Sequence, residues 1–108
     1  MLNLFRSLKF HRPEQTSRDP LGFRVAPDVK ASRHADGIVL IHLGKGTVFS
    51  ANRVGAMIWK GAAERQSLDQ VAASICHEFH IPSQEAQRDA AEFLAQLAAE
   101  GLLLADRN

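Results

Sequence analysis

Cysteine is almost absent from this chain, since Cys76 is the only one among its 108 residues. A single thiol cannot close a disulfide within the chain. Long apolar runs are also missing, because no stretch approaches the roughly 18 apolar residues that a membrane-spanning helix needs. These two absences predict a soluble, cytoplasmic domain without a membrane span.

An excess of charge of one sign is missing as well. Thirteen Lys and Arg stand against twelve Asp and Glu, which leaves a net charge of +1, whereas a domain that binds phosphates usually carries a basic excess. No glycine-rich phosphate loop, paired-carboxylate motif or internal repeat occurs in the sequence. We therefore expect a protein that is not an enzyme, without catalytic residues, cofactor or nucleic-acid partner.

The length of the chain suits one small domain, and 45% of its residues are hydrophobic. A chain of this size buries only about two-thirds of its unfolded surface, which argues against a deep catalytic cleft between two lobes. Residues 1–22 show no sustained apolar periodicity and are predicted to form a flexible tail, ahead of a domain over residues 23–108. A short amphipathic helix that docks on a partner or a membrane is the alternative for Leu4, Phe5 and Leu8.

Alternating polar and apolar residues predict three strands in the first half of the domain. The first strand starts at Val29 and ends before the turn dipeptide Asp36-Gly37, and a central apolar strand follows directly. A reversal at Gly44-Lys45-Gly46 leads to the third strand, Thr47 to Ala51. The pattern indicates an antiparallel meander whose third strand lies at an edge.

Three apolar stripes with helical spacing follow, and each begins at a capping signal. These signals are Asn52, the capping box of Ser67 with Gln70, and Ser83. Gly101 is placed where a helix commonly ends on a left-handed glycine. The fold class predicted by this order is α+β and winged-helix-like, with a three-stranded antiparallel sheet followed by three helices.

Winged helices also bind DNA, so a small DNA-binding protein is the alternative function. The charges oppose it. The predicted second helix carries Asp69 and Glu78 without any Lys or Arg, and the third helix offers only Arg88 against four acidic residues. Because both helices would repel phosphates, we expect weak binding to DNA.

Small side chains form a flank on the predicted third helix, although helix propensity alone also accounts for alanines there. If this flank lies beside the free edge of the third strand, the two frame a groove in which an extended peptide adds to the sheet. The predicted peptide-binding residues are Thr47, Val48, Phe49, Ser50, Ala51, Arg88, Ala91, Ala95 and Ala99. A free edge also allows two copies to pair, so the chain is expected to be a monomer or an edge-paired dimer.

Two spacings carry a resemblance to a known family. They are Gly46-x-x-Phe49-x-x-Asn52-x-x-Gly55-x-x-Ile58-Trp59 and Asp89-x-x-x-Phe93-Leu94-x-x-Leu97-x-x-x-Gly101-Leu102, with Leu68-x-x-Val71-Ala72 between them. Over residues 25 to 105 the chain resembles the PqqD-like proteins, whose fold is also called the RiPP precursor recognition element. The resemblance implies a peptide chaperone that holds the leader of a ribosomally made precursor between strand three and helix three.

The chain departs from the chaperones of pyrroloquinoline quinone formation at one motif. Those proteins usually carry Ala-Pro-Glu-Arg after the central apolar run, whereas this chain has Leu43-Gly-Lys-Gly-Thr47. It is more similar to the free-standing recognition proteins of lasso-peptide-like pathways. The implied partners are a precursor leader peptide and a RiPP-modifying enzyme or leader peptidase.

Three further sets of residues have other interpretations. Cys76-His77-x-x-His80 places zinc-type ligands one helical turn apart, but a fourth ligand is missing, so no metal site is predicted. Arg33 and Arg53 either flank the groove and pair with acidic leader residues or are simply solvated. Trp59 is expected in the core rather than as an exposed anchor.

Overall fold

The part of the chain that the structure describes, residues 22–105 of this computed structural model, contains five strands and three helices. In chain order these are β1 (Phe23–Val25), β2 (Val29–His34), β3 (Gly37–His42), β4 (Thr47–Ala51), α1 (Arg53–Ala63), α2 (Leu68–Phe79), α3 (Ser83–Ala99) and β5 (Leu103–Ala105). The predicted tail, with its alternative short helix, lies outside the described residues except for Gly22. The domain boundary at residue 23 therefore stays a prediction.

The main sheet is an antiparallel meander in the order β2-β3-β4. Its first hairpin turns at Ala35 and Asp36, so that His34 pairs with Gly37. The second hairpin reverses over residues 43–46, and His42 pairs with Thr47. The predicted α+β fold with three antiparallel strands and three helices is confirmed, and β4 lies at an edge of this sheet as expected.

Local capping signals set the starts of α1 and α2. The side chain of Asn52 accepts a hydrogen bond from the Gly55 N–H at 2.9 Å. Ser67 Oγ accepts from the Gln70 N–H at 3.1 Å, and Gln70 Oε1 accepts from the Ser67 N–H at 2.8 Å. Each bond satisfies a backbone donor that the first helical turn leaves unpaired, so both predicted caps are confirmed.

The ends of α3 confirm one expectation and correct another. Ser83 is already helical, and the cap position belongs to Pro82, which makes no side-chain cap. Proline offers no side-chain oxygen, and the ψ of 145° at Pro82 keeps this residue outside the first turn. At the other end Gly101 has a φ of 80°, and the Leu102 N–H bonds to the Leu97 carbonyl, as expected of a glycine that ends a helix.

A second, two-stranded sheet of β1 and β5 was not predicted. Val25 pairs with Leu103 in antiparallel register, and the Ala26 N–H donates to the Leu102 carbonyl at 3.0 Å. The buried side chains of Leu102 and Leu103 hold β5 against the core. This pairing fastens the segment before the main sheet to the segment after α3.

The core lies between β3 and the three helices. Its largest fully buried side chains are Ile38, Leu40, Ile58, Val71, Ile75, Leu97, Leu102 and Leu103. Full burial of such a side chain stabilises a fold by about 1.5–3 kcal/mol. Trp59 is buried, which confirms its predicted core position. In contrast, all but the first residue of β2 is exposed, so the helices leave that side of the sheet uncovered.

Candidate functional site

The free edge of β4 presents its backbone at two residues. The Leu43 N–H bonds to the Asp28 carbonyl at 2.9 Å, so the odd-numbered residues of β3 bond toward β2. Because backbone groups alternate between the two sides of an antiparallel strand, the even-numbered residues of β3 bond to β4. Their partners are Thr47, Phe49 and Ala51. The backbone groups of Val48 and Ser50 therefore point away from the sheet.

The side chains of β4 divide between two faces. Thr47, Phe49 and Ala51 are half-buried and share a face with their buried β3 partners. Val48 lies on the opposite face and is 65% exposed. Thr47 Oγ1 is enclosed and has no hydrogen-bond partner among the described residues. As far as the described residues show, this edge therefore combines unpaired backbone groups, an apolar half-buried face and a hydroxyl without a hydrogen-bond partner.

Helix α3 lies opposite β4, and contacts close the space between them at both ends. At one end Lys45 Nζ, from the loop before β4, donates to the Glu100 carbonyl at the end of α3, at 3.3 Å. At the other end Gly55 lies against both Ala51 and the Phe93 ring, so closely that an added Cβ would come within 3.0 Å of each. We call the space between these contacts the β4–α3 groove.

The row of α3 that lies toward β4 is polar and acidic. It follows Phe93 around the helix at about 100° per residue and consists of Asp89, Glu92 and Gln96. Gln96 is only 9% exposed although it is polar. The opposite flank starts at Gln87, whose Nε2 donates to Asp69 Oδ1 on α2 at 2.9 Å.

The alanines of α3 are therefore divided between two sides of the helix. Ala91 follows Gln87 by one helical turn, on the side toward α2, whereas Ala95 lies beside Arg88 on the outer face of the helix, and the role of both alanines in binding stays a prediction. Ala99 precedes Glu100 at the closed end of the groove. Arg88 is exposed between the two flanks, and its Nε lies 3.7 Å from Asp89 Oδ1.

Of the predicted binding residues, the structure thus brings the five of β4 and Ala99 to one groove. Sequence patterns missed Lys45, Phe93, Glu92 and Gln96 as groove residues. The helical spacing of the acidic residues was visible, but nothing local showed which flank of α3 meets β4.

Burial changes the acidity of one groove residue. Partial desolvation raises the pKa of Asp89 above its ordinary value of 3.8. The positive charge of Arg88 acts in the opposite direction, and the negative charge of Glu85 adds to the rise. The net rise comes chiefly from burial, so the Asp89 carboxyl lies partly out of contact with water.

Cys76 and His77 lie on α2, and His80 follows at its end. His80 is the left-handed C-cap of α2, and its N–H bonds to the Cys76 carbonyl. Within residues 22–105 no three His, Cys, Asp or Glu side chains are grouped to hold a metal ion. None of the helices in that range is long and apolar enough to cross a membrane.

The fold and the groove define a class: a small α+β domain with one open sheet edge facing a helix. Comparison with known families narrows that class. The family model described as coenzyme PQQ synthesis protein D (PqqD) matches residues 37–103, which is more than half of the chain. The chain belongs to the PqqD family, as the resemblance of its spacings implied. No curated protein matches it significantly.

Two solved structures share the fold over nearly their whole length. TbiB1 in complex with the TbiA(beta) leader peptide is 29% identical, with a TM-score of 0.71, over 79% of this chain and 99% of that chain. Lasso peptide synthetase B1 complexed with the leader peptide is 25% identical, also with a TM-score of 0.71, over 77% of this chain and 98% of that chain. Both similar proteins are described as leader-peptide complexes.

Proposed function

We propose that this chain binds the leader segment of a ribosomally made precursor peptide as an added strand on β4. The observation that carries the proposal is the backbone of Val48 and Ser50, which faces the β4–α3 groove without a partner strand among the described residues. The leader complexes formed by two proteins of the same fold support it.

The groove provides each part of strand addition. The N–H and C=O groups of Val48 and Ser50 form one row of a ladder, and a peptide strand placed about 4.8 Å away completes it. Alternate side chains of the peptide then point toward Phe49 and α3, where apolar surface is half-buried. A peptide beside the enclosed Thr47 hydroxyl would also offer it a hydrogen-bond partner. Backbone pairing gives affinity, and the inward side chains give selectivity.

The charge of the α3 wall restricts the leader. Asp89 and Glu92 line the row toward β4, and burial already makes the Asp89 carboxylate less favourable. An acidic side chain placed against this row would add like-charge repulsion. We therefore propose that the leader carries apolar, neutral or basic residues where it faces α3.

The binding role requires no chemistry from this chain. Its task is to hold the leader in one extended register, which raises the local concentration of the precursor for a modifying or leader-cleaving enzyme. Such an assembly would work in the cytoplasm. Binding of DNA is not favoured, because α2 has no Lys or Arg and α3 has only Arg88.

A titration of isotope-labelled protein with candidate precursor leader peptides tests the proposal. We expect the backbone amides of Val48 and Ser50, and those of Glu92 to Glu100, to shift most. Amides of α2 should change little and serve as the internal control. A footprint centred on His77 and His80 would overturn the proposal.

A further inference from the structure

A second recess lies on the other side of α1 from the β4–α3 groove. It has a volume of about 390 Å³, and we call it the basic cleft. Its lining comes from the β2–β3 hairpin, one face of α1 and the second half of α2, and includes Arg33, His34, Arg53, Met57, Lys60 and Phe79. Arg53, Met57 and Lys60 recur along one stripe of α1, whereas Gly55, which touches Phe93, lies nearly opposite on the helix at about 100° per residue. The two recesses are therefore separate.

The lining of the cleft is positive. Arg33, Arg53 and Lys60 place three cationic side chains in the lining, and among residues 22–105 no Asp or Glu belongs to it. Within residues 22–105 Arg33 has no ion pair. Arg53 lies 3.5 Å from Glu78 and Lys60 lies 3.8 Å from Glu64, but these side chains are about half exposed. Exposed pairs contribute little, so both cations stay available to an incoming carboxylate.

The cleft also offers apolar contact. Met57 and Phe79 are partly buried and pack against the core, and Ala56 lies beside them in the lining. The guanidinium of Arg53 stands over the Phe79 ring at 5.3 Å, which orders this cation at the rim. A floor of this kind accepts an apolar side chain flanked by acidic ones.

We propose that the basic cleft is the docking site for an acidic segment, with an apolar anchor residue, of the enzyme that acts on the bound leader. The inference rests on the proposed function only in naming the partner as that enzyme. Charge complementarity selects the occupant, since three cations surround the apolar floor. The leader is not the expected occupant, because its strand runs along β4 on the other side of α1.

Short synthetic peptides test the chemistry of the cleft. The probe is acetylated and amidated Glu-Glu-Leu-Glu-Glu, and the matched peptides replace the leucine by glycine or every glutamate by lysine. We expect the acidic peptide to shift the amides of Arg33 to Gly37, Arg53 to Lys60 and Ser74 to Phe79. The glycine peptide should bind several-fold more weakly, and the lysine peptide should leave these amides unshifted.

Charge-changing variants then separate the cleft from general attraction. Arg33→Glu and Lys60→Gln should each weaken the acidic peptide at least several-fold, whereas Arg24→Glu, on the exposed face of β1, should not. Both cleft variants should bind the leader as tightly as the native chain does. If the native chain does not bind the leader at all, that result counts against the proposed function and not against the cleft. Equal loss in Arg24→Glu, or shifts spread over the whole surface, would overturn the cleft proposal.

A competition experiment identifies the source of the acidic segment. Saturating leader should leave the acidic peptide bound, and a leader peptidase that cleaves the bound precursor should displace it. Displacement by the leader itself would contradict docking of an enzyme. Failure of the peptidase to displace the peptide would contradict it as well.

Discussion

The two edges of the main sheet present the same backbone chemistry in opposite surroundings. On β4 the backbone groups of Val48 and Ser50, which have no partner strand within residues 22–105, face an acidic row of α3 across a groove that is closed at both ends. On β2 the backbone groups of Ala31 and Arg33 point away from the sheet, and the recess beside this strand is basic and open. A free edge invites any extended chain, so the wall opposite each edge decides which chain pairs there.

The difference also concerns burial. Three of the five β4 residues are half-buried, whereas five of the six β2 residues are exposed. Lys30 and Arg33 add charge along β2, a common way to keep an edge from pairing with other strands. We infer that β4 accepts an added strand and that the charges on β2 disfavour one. The recess beside β2 binds side chains instead.

Replacement of Gly37 should have the largest effect on stability, because this glycine is in contact with two parts of the domain. It lines the basic cleft, and an added Cβ would collide with the Ala51 carbonyl oxygen at the end of β4. Its φ of 155° adds backbone strain. In Gly37→Ala the collision and the backbone strain should each lower the free energy of unfolding by about 1–3 kcal/mol, as measured by urea denaturation.

Gly46→Ala is the matched control for that measurement. Gly46 also has a positive φ, of 68°, but nothing lies within 4 Å of an added Cβ. The control should therefore lose only the conformational part, about 1 kcal/mol. Equal losses in the two variants would show that the contact between Gly37 and Ala51 contributes nothing.

A proline on each edge of the main sheet tests whether the leader pairs with β4 or with β2. Val48→Pro removes one outward N–H without disturbing the bonds to β3, and proline is tolerated on edge strands. Loss of one hydrogen bond and the bulk of the ring should weaken leader binding at least about tenfold in calorimetry. Ala31→Pro makes the same change on β2 and should leave leader affinity unchanged. An equal loss from Ala31→Pro would place the leader on the wrong edge.

The strands, caps and turns of the domain could be predicted from sequence because their signals span only a few residues. The β3 and β4 runs, the Asn52 cap, the capping box of Ser67 and the glycine at 101 each depend on neighbours within four positions. The strand pattern also identified β4 as an edge. Of the candidate site, the β4 half was therefore predictable.

The remaining features depend on contacts between distant residues. The β1–β5 pairing joins three-residue strands from the two ends of the domain, and such short segments carry no periodic signal. The contact from Lys45 to Glu100 joins residues 55 positions apart. Helical spacing separates two flanks of α3, but packing of Gln87 on Asp69 decides that the alanine flank turns toward α2.

Reversal of one charge on the α3 wall should change leader preference by a smaller factor. Glu92→Lys should weaken a leader that carries lysine at positions facing α3 and strengthen the same leader with glutamate there. Partly exposed charge pairs contribute about 0.2–1 kcal/mol, so each change should be roughly two- to fivefold in calorimetry.

Two outcomes check this assignment. Ala95→Glu, on the outer face of α3 beside Arg88, should leave both leader affinities unchanged. If Ala95→Glu has the larger effect, the leader lies against the outer face of α3 instead of the acidic row.

The smallest expected effect is a pH-dependent gain in stability on removal of the Asp89 charge. The folded-state pKa of Asp89 is raised, chiefly by burial. The folded chain therefore binds this proton more tightly than the unfolded chain, and ionisation destabilises the fold. That destabilisation is absent below the unfolded pKa, near 3.8, and is complete once the pH exceeds the folded pKa.

Asp89→Asn keeps the shape of the side chain and removes its charge. The variant should be slightly more stable than the native chain at pH 7, and the difference should vanish near pH 3, as measured by urea denaturation at both values. Arg88→Gln is the matched variant, because it removes a guanidinium that opposes the rise in the Asp89 pKa and should lower stability at pH 7. A larger gain for Asp89→Asn at pH 3 than at pH 7 would reverse the sign and show that the carboxylate stabilises the groove wall.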